Sequence, residues 1–512
     1  MNKRTFGERK NKVVEHVAKL RTGIEGLDFL GNGGFPKGRT TLCVGSSGSG
    51  KTVLGVEYIW RGMEGFDEAG VFVTFEEKPE RIIKNVKSFG WDLDKKIAEG
   101  KLTILDMAPS IMSSDTLVGA YDFTVLIERI KYAIKKVKAK RVVIDSINAF
   151  FTQVGATDKV RKVIFDFVDS LNSLGVTTLI TAERTEEYGP ISKYGVEEFV
   201  SDNVVIVRLV LEEERIRRTI QILKFRGSTH KQGEYPFTIT NDGIIILPLA
   251  GMKLSAPSST VRIASGTKEL DKMCGGGFFK DSVILVSGPT GTGKTLITTL
   301  FTEAACKAGE KVILFAYEES REQLMRNAAS WGVNLKKWQN KGLLRIFCEY
   351  PEVMGSEDHL ITIKKEIEAF KPRRIAIDSL SAMERVLTLK SFREFVLNLT
   401  SYIKQREVAA LCTSTTKTLL GGESVTEAHI STLTDAILIL RYVEMHGEMR
   451  RGLTVIKMRG SWHEKEIREY IIDGKGLHIE EPFKGVESIM TGAARSVTQY
   501  EEEELKKLTK LQ

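Results

Sequence analysis

The chain is poor in cysteine and proline, with 5 and 11 in 512 residues. Cys43, Cys274, Cys306, Cys348 and Cys412 are odd in number and never form a CxxC pair. That argues against a disulfide framework or a thiolate metal site and favours buried, reduced thiols. The 7 histidines form no HExxH-type cluster. No apolar run approaches the roughly 20 residues that cross a bilayer. The N-terminal stretch MNKRTFGERKNKVVEHVAKL has neither an apolar signal region nor a small-residue cleavage site. The expectation is a cytoplasmic protein with no membrane contact. Basic clusters are also missing. The net charge of +8 is spread along the chain, so nucleic acid is not an expected partner.

What is present is a soluble globular composition, 42% hydrophobic and 28% charged, over a length too great for one ordinary core. The chain repeats itself. KFRGSTH (224–230) returns as KMRGSWH (457–463), GSSGSGKT (45–52) as GPTGTGKT (288–295), VFVTFEE (71–77) as ILFAYEE (313–319), and RVVIDS (141–146) as RIAIDS (374–379). GVEEFVSD (195–202) has the divergent counterpart AHISTLTD (428–435). Five ordered matches, with offsets drifting from 243 to 233, indicate tandem duplication. The first half is expected over 1–252, a polar linker over 253–260 with the break near 255, the second half over 261–484, and a C-terminal loop and tail over 485–512. Within each half, short β-branched runs alternate with helical stretches. That predicts an α/β fold in each half, a mostly parallel sheet with helices on both faces. The runs DNVVIVRLV, RTIQILKF, PFTIT and GIIIL predict an antiparallel extension at one sheet edge.

Each GxxxxGKT string follows an apolar strand and opens a helix, the context that a P-loop requires. Glycines let successive N–H groups face phosphates, and the helix N-terminus adds partial positive charge. Lys51 and Lys294 then reach the β/γ-phosphates, and Thr52 and Thr295 ligate Mg²⁺. Asp145 and Asp378 end apolar strands at Walker B distance. Glu76–Glu77 and Glu318–Glu319 follow strands at the ligand edge of such a sheet, where a glutamate can take a proton from the attacking group. One glutamate of each pair has a plainer role open to it, as helix N-terminal charge. In the KxRGSxH strings, alternation places Lys224, Arg226 and His230, and Lys457, Arg459 and His463, on one face of an extended segment. Since each half already owns a P-loop lysine, this second basic set is expected to serve a neighbouring subunit's nucleotide as an arginine finger does. A solvated edge strand protected by charge is the plainer reading.

Together with YGVEEFVSDN, GEYPFTIT, CGGGFFKDS and EAHISTLTD, these strings resemble the KaiC family of double-domain RecA-like ATPases over residues 14 to 490 or so. The resemblance implies a homohexamer of stacked rings with ATP or ADP and Mg²⁺ between subunits. It implies a slow ATPase using Glu76 and Glu77 in the N-terminal ring, and an autokinase and autophosphatase using Glu318 and Glu319 in the C-terminal ring. Ser431 and Thr432 match the phosphate acceptors, with Thr426 nearby. Glu318 would also approach the metal. The implied nucleotide contacts in the first half are Gly48, Ser49, Gly50, Lys51, Thr52, Val53, Ser88, Phe89, Asp145, Lys224, Phe225, Arg226, Ser228 and His230. In the second half they are Thr290, Gly291, Thr292, Gly293, Lys294, Thr295, Leu296, Trp331, Asp378, Arg451, Lys457, Met458, Arg459, Ser461, Trp462 and His463. A KaiB-like partner is implied by resemblance alone. KGVESIMTGAARSVTQYEEEELKKLTKLQ starts like the family's C-terminal loop and then diverges into a short charged stretch, which puts dependence on a KaiA-like activator in doubt. Its Leu505, Leu508 and Leu511 have helical spacing and suit either pairing between hexamers, giving a dodecamer, or a solvated terminus.

The duplication supports the kinase expectation independently. Aligning Asp202 with Asp435 sets Glu198 and Phe199 of the first half against Ser431 and Thr432 of the second. The first half is thus fixed in charge where the second carries hydroxyls. Two other classes compete. A DNA-dependent motor of the RecA or DnaB type would need a basic, aromatic appendage that the chain lacks. An ATP-assembled scaffold without catalysis would not need both glutamate pairs.

Overall fold

The computed structural model describes residues 17–107, 123–148, 157–191, 198, 201–212, 215–247, 258–416, 432–445, 447–483, 486–487 and 495–496. Ser431, Thr426 and the tail leucines lie outside them. The chain divides into two compact units, Met1–Gly251 and Met252–Gln512.

The first unit is built on a nine-stranded sheet. Its strands are β1 (Thr40–Gly45), β2 (Gly70–Thr74), β3 (Leu102–Asp106), β4 (Arg141–Asp145), β5 (Thr177–Glu183), β6 (Asn203–Glu212), β7 (Arg215–Phe225), β8 (Glu234–Thr240) and β9 (Gly243–Ile246). They run in the order β9-β8-β7-β6-β1-β5-β4-β2-β3. The P-loop strand β1 is central and pairs in parallel with both β5 and β6. All six of its residues are buried. Helices cover both faces of this part of the sheet, which is why TTLCVG has no polar alternation. From β6 to β9 the pairing is antiparallel, as the sequence predicts. Helices α1 (Lys51–Phe66), α2 (Pro79–Val86), α3 (Phe123–Val137) and α4 (Thr157–Ser173) complete the layers. Two apolar clusters form, one around Leu54, Tyr58 and Phe72 and the other around Val71, Ile144 and Phe167.

The second unit repeats the plan. Strands β10 (Val283–Gly288), β11 (Val312–Ala316), β12 (Leu344–Cys348), β13 (Arg374–Asp378), β14 (Ala409–Thr415), β15 (Ala436–Met445), β16 (Glu448–Met458), β17 (Arg468–Asp473) and β18 (Gly476–Pro482) occur in the order β12-β11-β13-β14-β10-β15-β16-β17-β18. Strand for strand this is the first sheet again. Its helices are α5 (Lys294–Lys307), α6 (Arg321–Ser330), α7 (Ser356–Phe370), α8 (Leu380–Val386) and α9 (Leu389–Gln405). Ser320 caps α6 with a reciprocal capping box to Gln323, which fixes the turn carrying Glu318 and Glu319. No helix among the described residues is long and apolar enough to cross a membrane.

One contact of the first unit has no second-unit equivalent among the described residues. Glu57 of α1 is 0% exposed. It accepts from Ile244 N at 2.7 Å and from Arg61 Nη2 at 3.0 Å. Arg61 Nη2 also donates to the Asp242 carbonyl at 2.6 Å, so the β8–β9 turn is tied to the helix that opens at the P-loop. Gly243 sits at φ +112, where a Cβ would stand 2.3 Å from Glu57 Oε1. Burial pushes the Glu57 carboxyl up to about 7 from an ordinary 4.5. The folded state therefore holds this proton more tightly than the unfolded chain. The associated stability is full below about pH 4.5 and is lost as pH rises through about 7. Glu57→Gln should flatten that dependence and, at pH 8, stabilise the first unit by up to about 3 kcal/mol. Urea unfolding at pH 5 and pH 8 reads this, and an unchanged pH slope in the variant would refute it.

Candidate functional site

The P-loops link β1 to α1 and β10 to α5. Gly50 and Gly293 precede the helices at φ +99 and +93, a left-handed conformation that aims the following N–H groups inward. Ser49 and Thr292 are buried and donate to the Ser46 and Pro289 carbonyls at 2.8 and 2.7 Å, holding each loop's curl. Gly48, Thr290 and Gly291 are exposed on the outside of the curl, whereas Leu296 is buried and Val53 packs against the core. Lys51 and Lys294 are each 8% exposed. Lys51 Nζ donates to the Gly45 and Ser46 carbonyls at 2.9 and 2.8 Å, and Lys294 Nζ to Gly288 and Pro289, both at 2.8 Å. Both ammonium groups thus lie inside the loop. Burial lowers the Lys294 pKa.

Thr52 Oγ1 donates to Asp145 Oδ2 at 2.7 Å, and Thr295 hydrogen-bonds Asp378 in the same way. A second threonine also donates to each aspartate, Thr181 to Asp145 Oδ1 and Thr413 to Asp378 Oδ1. Burial raises the Asp378 pKa. Both aspartates precede a cis peptide bond, to Ser146 and Ser379. A hydroxyl and a carboxylate side by side at the edge of a P-loop are hard oxygen donors that suit Mg²⁺, which binds through few protein ligands and keeps its waters. No cluster of three or more His, Cys, Asp or Glu that could cage a metal occurs among the described residues.

The glutamate pairs sit just past the ends of β2 and β11. Their second members are held alike: Asn85 Nδ2 donates to Glu77 Oε1 at 2.8 Å and Asn327 Nδ2 to Glu319 Oε2 at 3.2 Å. Their first members differ. Glu76 accepts from Ser146 Oγ, and desolvation, aided by Glu183 and Asp145, raises its pKa although the side chain reaches solvent. Glu318 instead pairs with Arg385 Nη2 of α8 at 2.8 Å. Ser379, the counterpart of Ser146, is buried with its Oγ unpartnered. In this unit burial, and then the nearby Asp378, raises the Glu319 carboxyl.

The basic strings are not single strand faces. Strands β7 and β16 end at Phe225 and Met458, and Gly227 and Gly460 turn the chain at φ +74 and +69. Lys224 Nζ donates to the Glu198 and Ser201 carbonyls at 2.9 and 2.8 Å, and Arg226 pairs with Asp202 at 3.9 Å. Lys457 Nζ donates to the Thr434 carbonyl at 2.7 Å, and Arg459 Nη2 to the Thr432 carbonyl at 2.8 Å. Lysine and arginine thus converge on the segment before β6 or β15 of their own unit. His230 instead packs edge-on against Phe225 at 5.9 Å. Ser228 and Ser461 donate to the adjacent carbonyls of Thr229 and Trp462, and Trp462 is 68% exposed. His463 follows in the irregular segment after that turn.

Ser88 Oγ donates to the Asn85 carbonyl at 3.0 Å, and the Phe89 ring lies tilted against Trp91 with centroids 4.8 Å apart. Trp331, at the matching place after α6, packs against the second-unit core. Arg451 lies over the Tyr442 ring at 5.8 Å, and the Tyr442 hydroxyl reaches the Thr290 carbonyl at 3.3 Å. Its counterpart Arg218, which no motif singles out, approaches the Gly48 carbonyl at 3.5 Å. Thr181, Thr413, Asn85 and Asn327 lie outside the motifs too. All of these could have been found by carrying the duplication through every polar position. Arg385 could not, because the position seven beyond the first aspartate is Thr152, which carries no charge.

Comparison with known proteins agrees with this geometry. The family model described as "ATPase: KaiC" matches twice, over residues 20–251 and 263–484. The chain is 55% identical over 498 residues to the circadian clock oscillator protein KaiC of Picosynechococcus, covering 97% of this chain and 96% of that one. It is 54% identical over 502 residues to KaiC of Synechococcus elongatus, at 98% and 96% coverage. To the circadian clock protein KaiC3 of Synechocystis it is 54% identical over 493 residues, at 96% and 97%. Two P-loop sheets of one topology, each with its threonine–aspartate pair and paired glutamates, place the chain in the KaiC family of ATPases, whose domain it carries twice.

Proposed function

We propose that the protein is a cytoplasmic, hexameric ATPase and serine/threonine autokinase and autophosphatase that serves as a clock-like timer. The first unit hydrolyses ATP. The second transfers the γ-phosphoryl group of ATP to Ser431 and Thr432 of the adjacent subunit. Supporting this is above all the duplicated contact of Thr52 with Asp145 and of Thr295 with Asp378 beside a P-loop lysine and a glutamate pair. Mg²⁺ bound there would neutralise charge on the β- and γ-phosphates. The P-loop N–H groups and Lys51 or Lys294 hold the phosphates in place.

In the first unit Glu76 takes a proton from the attacking water, a role suited to a carboxylate whose pKa burial has raised. In the second unit the acceptor Oγ bonds to the γ-phosphorus as the bond from that phosphorus to the β-bridging oxygen breaks. ADP leaves, and the hydroxyl proton passes to Glu318. For that, Glu318 has to exchange Arg385 for the incoming hydroxyl. The basic strings, though folded onto their own units here, lie beside the acceptor segment and suit a role at the boundary between subunits. A KaiB-like partner, and pairing of tails into a dodecamer, are further parts of this reading.

Incubating the purified protein with Mg²⁺-ATP, without any partner, and mapping phosphates by peptide mass over time tests the proposal. Phosphate at Ser431 and Thr432 is the expected result, and Ser431→Ala with Thr432→Ala should abolish it while ATP hydrolysis continues. Label persisting in the double variant would defeat the site assignment.

A further inference from the structure

In the second unit a cavity of about 640 Å³ lies under the segment that leads into β15. Its lining includes Thr432, Asp435, Lys404, Arg459, Ser401 and Asp281. Lys404 Nζ stands 2.9 Å from Asp435 Oδ1, and Arg459 Nη1 stands 3.5 Å from the same oxygen. Arg459 also donates to the Thr432 carbonyl at 2.8 Å, which sets its guanidinium beside that residue on the wall of the same cavity. Asp435 Oδ2 is engaged elsewhere, accepting from Val283 N at 2.9 Å at the start of the P-loop strand β10. Asp281 is likewise occupied, accepting from Ser259 N at 2.8 Å. Two cations thus share a single carboxylate oxygen beside a threonine.

The first unit lacks this arrangement in the one respect that counts. Its Asp202 and Arg226 match Asp435 and Arg459, but at 3.9 Å and without a matching lysine. Where α9 carries Lys404, five residues before β14, α4 carries Asn172, five residues before β5. Asn172 accepts from Thr40 Oγ1 at 2.9 Å and brings no charge. The half with hydroxyls at 431–432 has the extra cation, and the half with Glu198 and Phe199 at those places has none there. Duplicated halves that differ jointly at two facing positions point to one ligand, which only the second half acquires.

We propose that Lys404 and Arg459 form a receiving site for the phosphoryl group carried by Thr432 of the same subunit. The inference rests on the autokinase reading above. A phosphothreonine brings about −1.5 to −2 charges and three acceptor oxygens. It outcompetes the single negative charge of Asp435 for an ammonium and a guanidinium, because charge-assisted bonds strengthen with the charge of the acceptor. Asp435 keeps Val283 N and releases its cations. The arginine of the KMRGSWH string then follows the phosphate, so the phosphorylated state is registered at the end of β16 and beside the start of β10. Lys404 is a positioning residue here. It touches the product of transfer, not the reacting atoms.

The test uses the full chain and the variants Lys404→Asn, which copies the first unit, and Lys404→Arg. After labelling with Mg²⁺-ATP and removal of free ATP, the lifetimes of phospho-Thr432 and phospho-Ser431 are followed separately. Lys404→Asn should shorten the phospho-Thr432 lifetime about tenfold. Lys404→Arg should restore it, and first-unit ATP turnover should not change. A phospho-Thr432 lifetime within about twofold of the parent in Lys404→Asn overturns the inference while leaving the autokinase intact. Absence of phosphate at Thr432 in the parent overturns both. Should Lys404→Asn fail to fold, phosphorus NMR of the phosphorylated parent decides. A receiving site pulls the second ionisation of phosphothreonine below its usual value of about 6, whereas an unshifted titration overturns the proposal.

Discussion

Glu318→Gln is expected to lower phosphate incorporation at Ser431 and Thr432 by about a hundredfold or more, while ATP turnover in the first unit continues. General-base catalysis contributes about 10²–10⁴-fold to such transfers, and glutamine keeps the shape but cannot take the proton. The geometry adds a second condition. Arg385 holds Glu318 at 2.8 Å, so its effect must pass through that carboxylate. Arg385→Ala should therefore alter the labelling rate in the parent and leave it unchanged in the Glu318→Gln background. Glu319→Gln is the control. Glu319 is fixed by Asn327, and burial raises its pKa, a state also open to a base. If Glu319→Gln costs more than Glu318→Gln, the base is Glu319. If both variants label within about threefold of the parent, neither glutamate takes the proton.

Most of the fold was legible in the sequence because the signals were redundant. The buried strands TTLCVG and VILVSG, the glycines before Lys51 and Lys294, and the aspartates ending β4 and β13 each recur in order, so two weak readings became one strong one. The antiparallel edge was readable as well, since the closely spaced apolar runs DNVVIVRLV and RTIQILKF, then PFTIT and GIIIL, read as hairpin-like pairs. The basic strings were read less well. Alternation in KFRGSTH suggested a single strand face, but a glycine at positive φ ends the strand after Phe225, and periodicity cannot register that turn. Least legible were the contacts that break the symmetry. Arg385 on Glu318, Glu57 on Ile244 and Lys404 on Asp435 all join residues far apart in sequence and have no echo among the described residues of the other half. A repeat makes shared chemistry visible and hides what distinguishes the copies. The differences in function should lie among those contacts.

Arg141→Ala should cost the first unit about 3 to 5 kcal/mol, the usual penalty for removing one partner of a buried ion pair. Arg141 opens β4 and is 0% exposed. Its Nε donates to Glu68 at 2.7 Å, Nη1 to the Tyr58 and Thr22 carbonyls at 2.8 and 3.2 Å, and Nη2 to the Arg21 carbonyl at 2.7 Å. Truncation strands those acceptors and empties the volume of a long side chain, so packing and hydrogen bonding are lost together. Arg374 opens β13 in the same position, with Glu310 at 2.6 Å and, among the described residues, only the Ala264 carbonyl besides, also at 2.6 Å. Its removal should therefore cost the second unit less. These arginines anchor the starts of the two strands whose far ends carry Asp145 and Asp378. Loss of the anchor should be felt at the nucleotide site as well as in stability. Amide exchange along β4, followed by mass, should accelerate about a hundredfold or more in Arg141→Ala while β13 keeps its protection. Equal acceleration in both strands would show that the two units do not open independently. Unchanged exchange in β4 would show that the buried guanidinium contributes no net stability, its desolvation cost cancelling its hydrogen bonds.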